Sequence, residues 1–227
     1  MPTPLSQQLP AIELETGAQP THSILWMHGL GADGNDFVPI IHELKLPPDT
    51  AIRFIFPHAP KQPVSINQGF IMRAWYDIKL PNLNHYEDEA GIRRSQHAIT
   101  ALIERENQRG ISSNHIVLAG FSQGGVMALQ VGLRHPDKLG GIMVLSSYLP
   151  LAHTLAKETH HANTSTSIFM AHGSHDPIVP IHLAKTSRQQ LVEAGYQVEW
   201  HEYPMEHSVC SEELADISRW LQQVLRG

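Results

Sequence analysis

Apolar and polar positions follow two different periods along this chain. Short runs rich in β-branched and aromatic residues recur at 22–28 (HSILWMH), 51–56 (AIRFIF), 115–119 (HIVLA), 141–145 (GIMVL), 167–171 (SIFMA) and 197–203, and each predicts a strand. Between them lie longer stretches near 37–44, 88–108, 123–134, 180–194 and 211–225 whose patterning predicts helices. The second of these sets Ile92, Ala98, Ile99, Leu102 and Ile103 against Arg93, Arg94, Glu104 and Arg105, and Gly110 closes it. Strands alternating with helices predict an α/β fold, a mostly parallel central sheet flanked by helices. With no internal repeat, low-complexity block or long Pro/Gly-rich linker, residues 1–227 are expected to form a single domain.

One stretch breaks the pattern. From 58 to 87 some thirty residues show no convincing helix, which inside a compact domain signals a functional cover or an element that periodicity hides. It carries Phe70, Ile71, Met72, Trp75, Tyr76, Leu80, Leu83 and Tyr86, residues that either pack beneath the segment or line a pocket for an apolar substrate. We therefore treat 58–87 as a candidate substrate-covering segment, with Trp75 and Phe70 as candidate contacts on the acyl side.

Composition narrows the function classes. With 41% hydrophobic and 17% charged residues the chain has globular rather than disordered character. Sixteen Lys+Arg against 22 Asp+Glu give a formal charge of −6 with no basic block, which argues against nucleic acid as a partner. The apolar stretch at 140–150 falls far short of the roughly 20 residues that cross a bilayer, so no membrane span is expected. The N-terminus shows no secretory signal pattern, and a lone cysteine, Cys210, allows no internal disulfide; both fit a cytoplasmic location.

The chemistry concentrates where strands end. Gly120-Phe121-Ser122-Gln123-Gly124 follows an apolar strand and opens a helix, the context in which a G-x-S-x-G places its serine on a sharp turn. The helix that starts there also aims free N–H groups at the position where negative charge develops. A serine hydroxyl needs a base and a third group to orient that base. Asp176 follows the strand SIFMA, and His207 follows the last strand, so the order Ser122, Asp176, His207 is that of α/β-hydrolases. Among the rivals for the base, His201 lies within the strand pattern, while His172 and His175 share the loop of Asp176 and leave little separation. Oxyanion donors are expected from the Gln123 N–H, directly after the nucleophile, and from the Leu30 N–H in the glycine-rich loop at 28–34. That loop also reads G-x-G-x-x-G, a weak dinucleotide signal.

Other classes compete with this reading. A metal-dependent hydrolase built on His172, His175 and Asp176, or on His160 and His161, lacks the H-E-x-x-H spacing. A Cys210 nucleophile competes with the plainer reading of a small packing residue, and a hydrolase scaffold with dead chemistry would bind without turnover.

The segments HGLGADGNDF at 28–37, FPHAP at 56–60, RAWYDI at 73–78, AGFSQGG at 119–125, HGSHDPIVP at 172–180 and PMEHSV at 204–209 together resemble the phospholipase/carboxylesterase family of α/β-hydrolases, over nearly the whole chain. The resemblance implies the α/β-hydrolase fold and a serine esterase with Ser122 as nucleophile, His207 as base, Asp176 as third member and Leu30 and Gln123 as oxyanion donors. It implies no cofactor and no metal, a cytoplasmic enzyme and a homodimer. RAWYDI looks closer to the bacterial carboxylesterases, so hydrolysis of short to medium acyl esters is the leading expectation. Acyl-protein thioesterase or lysophospholipase activity through the same triad is the alternative. His58 stands where the family's FP-x-AP segment is expected to carry Asn.

Overall fold

The computed structural model describes residues 9–46, 49–80 and 87–226. A seven-stranded sheet runs in the order β1-β3-β2-β6-β7-β8-β9. The inner strands β3 (Ile52–Pro57), β2 (His22–Met27), β6 (Ile116–Phe121), β7 (Gly141–Leu145) and β8 (Ile168–Gly173) run parallel, as does the edge strand β9 (Val198–Tyr203). The other edge, β1 (Ala11–Glu15), is antiparallel to β3. The inner strands of a parallel sheet are covered on both faces, which is why β7 and β8 are buried at every position and read as unbroken apolar runs. Glu13, Glu15, Glu199 and Glu202 mark the two edges, where charge discourages further pairing.

Helices cover both faces. Ile92, Ile99 and Leu102 of α2 (Glu89–Gln108), Val126 and Leu129 of α3 (Gln123–Gly132), Leu155 of α4 (Leu155–Glu158) and Leu183 and Leu191 of α5 (Ile181–Glu193) join one core cluster. Ile40 of α1 (Ile40–Glu43) and Ile217, Trp220 and Leu221 of α6 (Ser211–Val224) join the cluster on the other face. Ile99 and Leu102 are fully buried, so truncating either to Ala is expected to destabilise by about 2–5 kcal/mol.

The helix expected over 37–44 shrinks to Ile40–Glu43, because the residues before it are taken up by successive turns, the Val38 amide donating to the Asn35 carbonyl and the Ile40 amide to the Phe37 carbonyl. The stretch 58–87 hides a hairpin. β4 (Lys61–Val64) pairs antiparallel with β5 (Phe70–Arg73) around a 3-10 turn at Ser65–Asn67, and Asp77 fastens that turn by accepting from the Ser65 amide at 2.7 Å and hydroxyl at 2.6 Å. Leu83 and Tyr86 lie outside the described residues.

From β2 the chain moves outward to β3, then returns to the opposite side of β2 as β6. This reversal opens a crevice beyond the carboxyl ends of β2 and β6, where ligands gather in open α/β sheets.

Candidate active site

Ser122 sits in that crevice, between the last residue of β6 and the first of α3. Its backbone lies at φ 54°, ψ −120°, a strained conformation for a residue with a side chain, of the kind that costs about 1–3 kcal/mol. The surroundings hold it there. Its N–H donates to the Leu145 carbonyl of β7 at 2.9 Å, and its carbonyl accepts from the Ser147 hydroxyl at 2.8 Å as well as from the Gly125 and Val126 amides. The two motif glycines are steric requirements: a Cβ on Gly120 would overlap the Gly124 backbone, and one on Gly124 would overlap the Met27 carbonyl of β2.

Asp176 and His207 arrive on the loops after β8 and β9, which are laced together by Ser174 N–H to the Tyr203 carbonyl (2.8 Å) and His175 N–H to the Met205 carbonyl (3.1 Å). Asp176 Oδ2 meets His207 Nδ1 at 2.7 Å, and Oδ1 accepts the Ile178 and Val179 amides at 2.8 and 2.9 Å. Burial alone would raise the pKa of this carboxyl. Hydrogen bonds from His172, His207 and the Val179 amide outweigh it and hold Asp176 well below the usual carboxylate range, so it is charged. The His207 ring lies 4.7 Å from the Phe121 ring, which sets it beside the turn that carries Ser122.

The loop after β2 completes the crevice. Gly29 stands against Ser122, close enough that a Cβ there would sit 3.4 Å from the serine Cβ. His28 is 1% exposed; its Nε2 accepts the Ala59 N–H at 3.0 Å, so Nδ1 carries the proton and donates to the Gly29 carbonyl at 2.7 Å. Burial lowers the His28 pKa, which keeps this neutral tautomer. Gln123 begins α3, and a helix start leaves its first N–H groups without intrahelical acceptors.

Of the sequence-based site, Asp176 and His207 are in direct contact and stand beside the turn of Ser122, while one predicted contact is relocated. Trp75 does not line open space: it is 1% exposed, and its indole N–H donates to the His28 carbonyl at 2.9 Å. Phe70 is 67% exposed and Ile71 62%, on the hairpin whose Arg73 carbonyl accepts the Gly31 N–H at 2.9 Å. Sequence reasoning also missed His172. Its Nε2–H donates to the Val179 carbonyl at 2.7 Å and lies 3.4 Å from Asp176 Oδ2, so the rejected base backs the acid instead. His201 is spent on the sheet face, between Glu199 and Asp216. The alternative metal sets do not assemble: His175 is exposed, His160 Nδ1 accepts from Ala162 of its own turn, and no group of three metal-binding side chains occurs among the described residues. Cys210 packs at the start of α6, and burial raises its pKa, keeping it a thiol.

Among the described residues no helix is long and apolar enough to cross a membrane. Comparison with known proteins gives a consistent result. Residues 10–225 match the family model described as Phospholipase/Carboxylesterase. Acyl-protein thioesterase 1 of Yarrowia lipolytica is 37% identical over 222 residues, covering 96% of this chain and 98% of that protein. Acyl-protein thioesterase 1 of Neurospora crassa is 40% identical over 225 residues, covering 95% and 92%. The crystal structure of Arabidopsis thaliana SOBER1 superposes with a TM-score of 0.84 at 31% identity, covering 90% of this chain and 99% of that one.

Proposed function

The chain belongs to the phospholipase/carboxylesterase family and is a serine hydrolase of α/β-hydrolase fold, and from that premise we propose that it cleaves acyl thioesters, with Ser122, His207 and Asp176 as its triad. The observation that carries the reading is the 2.7 Å contact between His207 Nδ1 and a buried, charged Asp176, set beside the strained Ser122 turn. In this reading Ser122 Oγ attacks the acyl carbon while His207 Nε2 takes its proton. The Leu30 and Gln123 N–H groups hold the oxyanion, each donor contributing about 3 kcal/mol. His207 then protonates the leaving group, and water releases the acyl chain by the same route. Asp176 fixes the tautomer of His207 and stabilises its charged form.

Sequence alone puts simple carboxylic esters first. The acyl-protein thioesterases among its relatives shift the preference to thioesters, such as a fatty acyl chain on a protein cysteine. The chemistry agrees, since a cysteine thiolate, with a conjugate acid near pKa 8.5, leaves more readily than an alkoxide. Exposed Phe70 and Ile71 on the hairpin, and Ile178, 60% exposed two residues beyond Asp176, support an apolar acyl group. Within a single domain, the 58–87 segment then contributes its hairpin as the acyl-side wall, with Phe70 as the contact and Trp75 behind it. A panel of S-acyl peptides and matched oxygen esters of increasing chain length tests this. The proposal predicts higher kcat/KM on the thioesters and no turnover by Ser122→Ala; equal or better turnover of the oxygen esters would restore the esterase reading.

A further inference from the structure

The two proposed oxyanion donors lie on different elements, Leu30 on the loop after β2 and Gln123 at the start of α3, so their spacing depends on what joins the two beyond the direct packing of Gly29 on Ser122. We propose that Trp75 is the positioning residue that sets it, by tying the loop of Leu30 to the start of α3. This rests on the oxyanion reading given above. The indole N–H of Trp75 holds the His28 carbonyl at 2.9 Å, while its backbone N–H holds Gln123 Oε1 at 3.0 Å. Gln123 Nε2 returns a bond to the Tyr76 carbonyl at 2.9 Å, so residues 75 and 76 grip both ends of that side-chain amide at the first turn of α3. On the other side, His28 passes the constraint to Gly29 through its Nδ1–H, at 2.7 Å, directly before Leu30. The Ser95 hydroxyl of α2 donates to the Trp75 carbonyl and anchors the tie from beneath.

Every member of this chain is withdrawn from water: Trp75 and His28 are 1% exposed, Gln123 2% and Ser95 5%. Bonds made in such surroundings are costly to leave unmade, so the tie is stiff. Stiffness matters because a donor lowers the barrier only when aimed at the oxyanion position rather than at the ground-state carbonyl.

The test uses Trp75→Phe, which keeps an aromatic ring and removes the donor, and Ser95→Ala, which frees the anchor. Turnover is counted per site labelled by a fluorophosphonate, on an acyl ester and on its thionoester, whose C=S sulfur is a weak hydrogen-bond acceptor. In Trp75→Phe, kcat on the ester falls about tenfold with KM little changed. The ester-to-thionoester rate ratio falls with it, because only the ester depends on well-aimed donors. Ser95→Ala moves the ratio in the same direction by less, and it carries the test alone if Trp75→Phe does not fold. An unchanged ratio in the folded variants, with any loss confined to melting temperature or to the fraction of labelled sites, overturns the proposal and leaves Trp75 structural. Wild-type protein that does not label at Ser122 overturns the serine site itself, and the proposal falls with it.

Discussion

Two buried carboxyl groups flank the loop that carries His207, and they stand in opposite electrostatic states. On the β8 side Asp176 is 7% exposed and has four donors around it, the Ile178 and Val179 amides, His207 Nδ1 and, at 3.4 Å, His172 Nε2. On the α6 side Glu213 is 0% exposed, and among the described residues neither of its side-chain oxygens meets a hydrogen-bond partner. The first is held well below the ordinary range and stays charged. The second is pushed up to about 8, chiefly by burial, against the opposing pull of the nearby Cys210 amide and with the Asp216 charge adding to it. Burial is common to both, so what decides the charge is the donor set. The charged group is the one that touches His207, as the proposed orienting role requires; the neutral one packs the first turn of α6.

The comparison breaks most visibly at Asp176. Asp176→Asn preserves size but removes the charge and offers Nδ1 of His207 the wrong partner, so kcat is expected to fall about 10³–10⁴-fold in folded protein, read by steady-state assay, while calorimetry shows the loss of the stability that the charged carboxylate contributes.

Glu213 is tested through stability. Its folded pKa, about 8, lies above its ordinary 4.5, so the neutral form's contribution is complete below about pH 4.5 and is lost as pH rises toward 8. Glu213→Gln is expected to flatten this slope and to be more stable than wild type at pH 9, by on the order of a few kcal/mol, in denaturant titrations run from pH 5 to 9. Asp176 has the opposite sign: its contribution is present above pH 3.8 and is lost as pH falls through its depressed folded value.

His172→Leu removes one of the groups that depress Asp176, so acid unfolding should begin at higher pH and kcat should fall about tenfold or less. Smallest of all is Cys210→Ala, between His207 and Glu213, expected to leave kcat within about twofold of wild type; iodoacetamide should label native Cys210 more slowly than a free thiol, because its raised pKa leaves little thiolate.

The parts of this site that sequence reveals are those written within a few residues of one another. A strand, a G-x-S-x-G and a helix in succession locate Ser122, and the loops after later strands locate Asp176 and His207. Continuous apolar runs locate the inner strands for the same reason. The hairpin escapes because Pro63, Gln62 and Arg73 interrupt any period-2 pattern, and β1 escapes because a five-residue edge strand leaves Leu14 40% exposed. Trp75 is misjudged as a substrate contact because its partners His28 and Gln123 are 47 and 48 residues away in sequence. Glu213 reads as a solvated acid suited to a helix's first turn, and only the packing of α6 against β9 and its neighbours buries it.

The central claim is that Ser122 is activated by His207, which Asp176 orients. Intact-mass and peptide mapping after exposure to a fluorophosphonate tests it most directly. The account predicts a single adduct on Ser122, absent in His207→Ala and formed far more slowly in Asp176→Asn. An adduct on another residue, no adduct on folded wild-type protein, or labelling that Asp176→Asn leaves unchanged would contradict it.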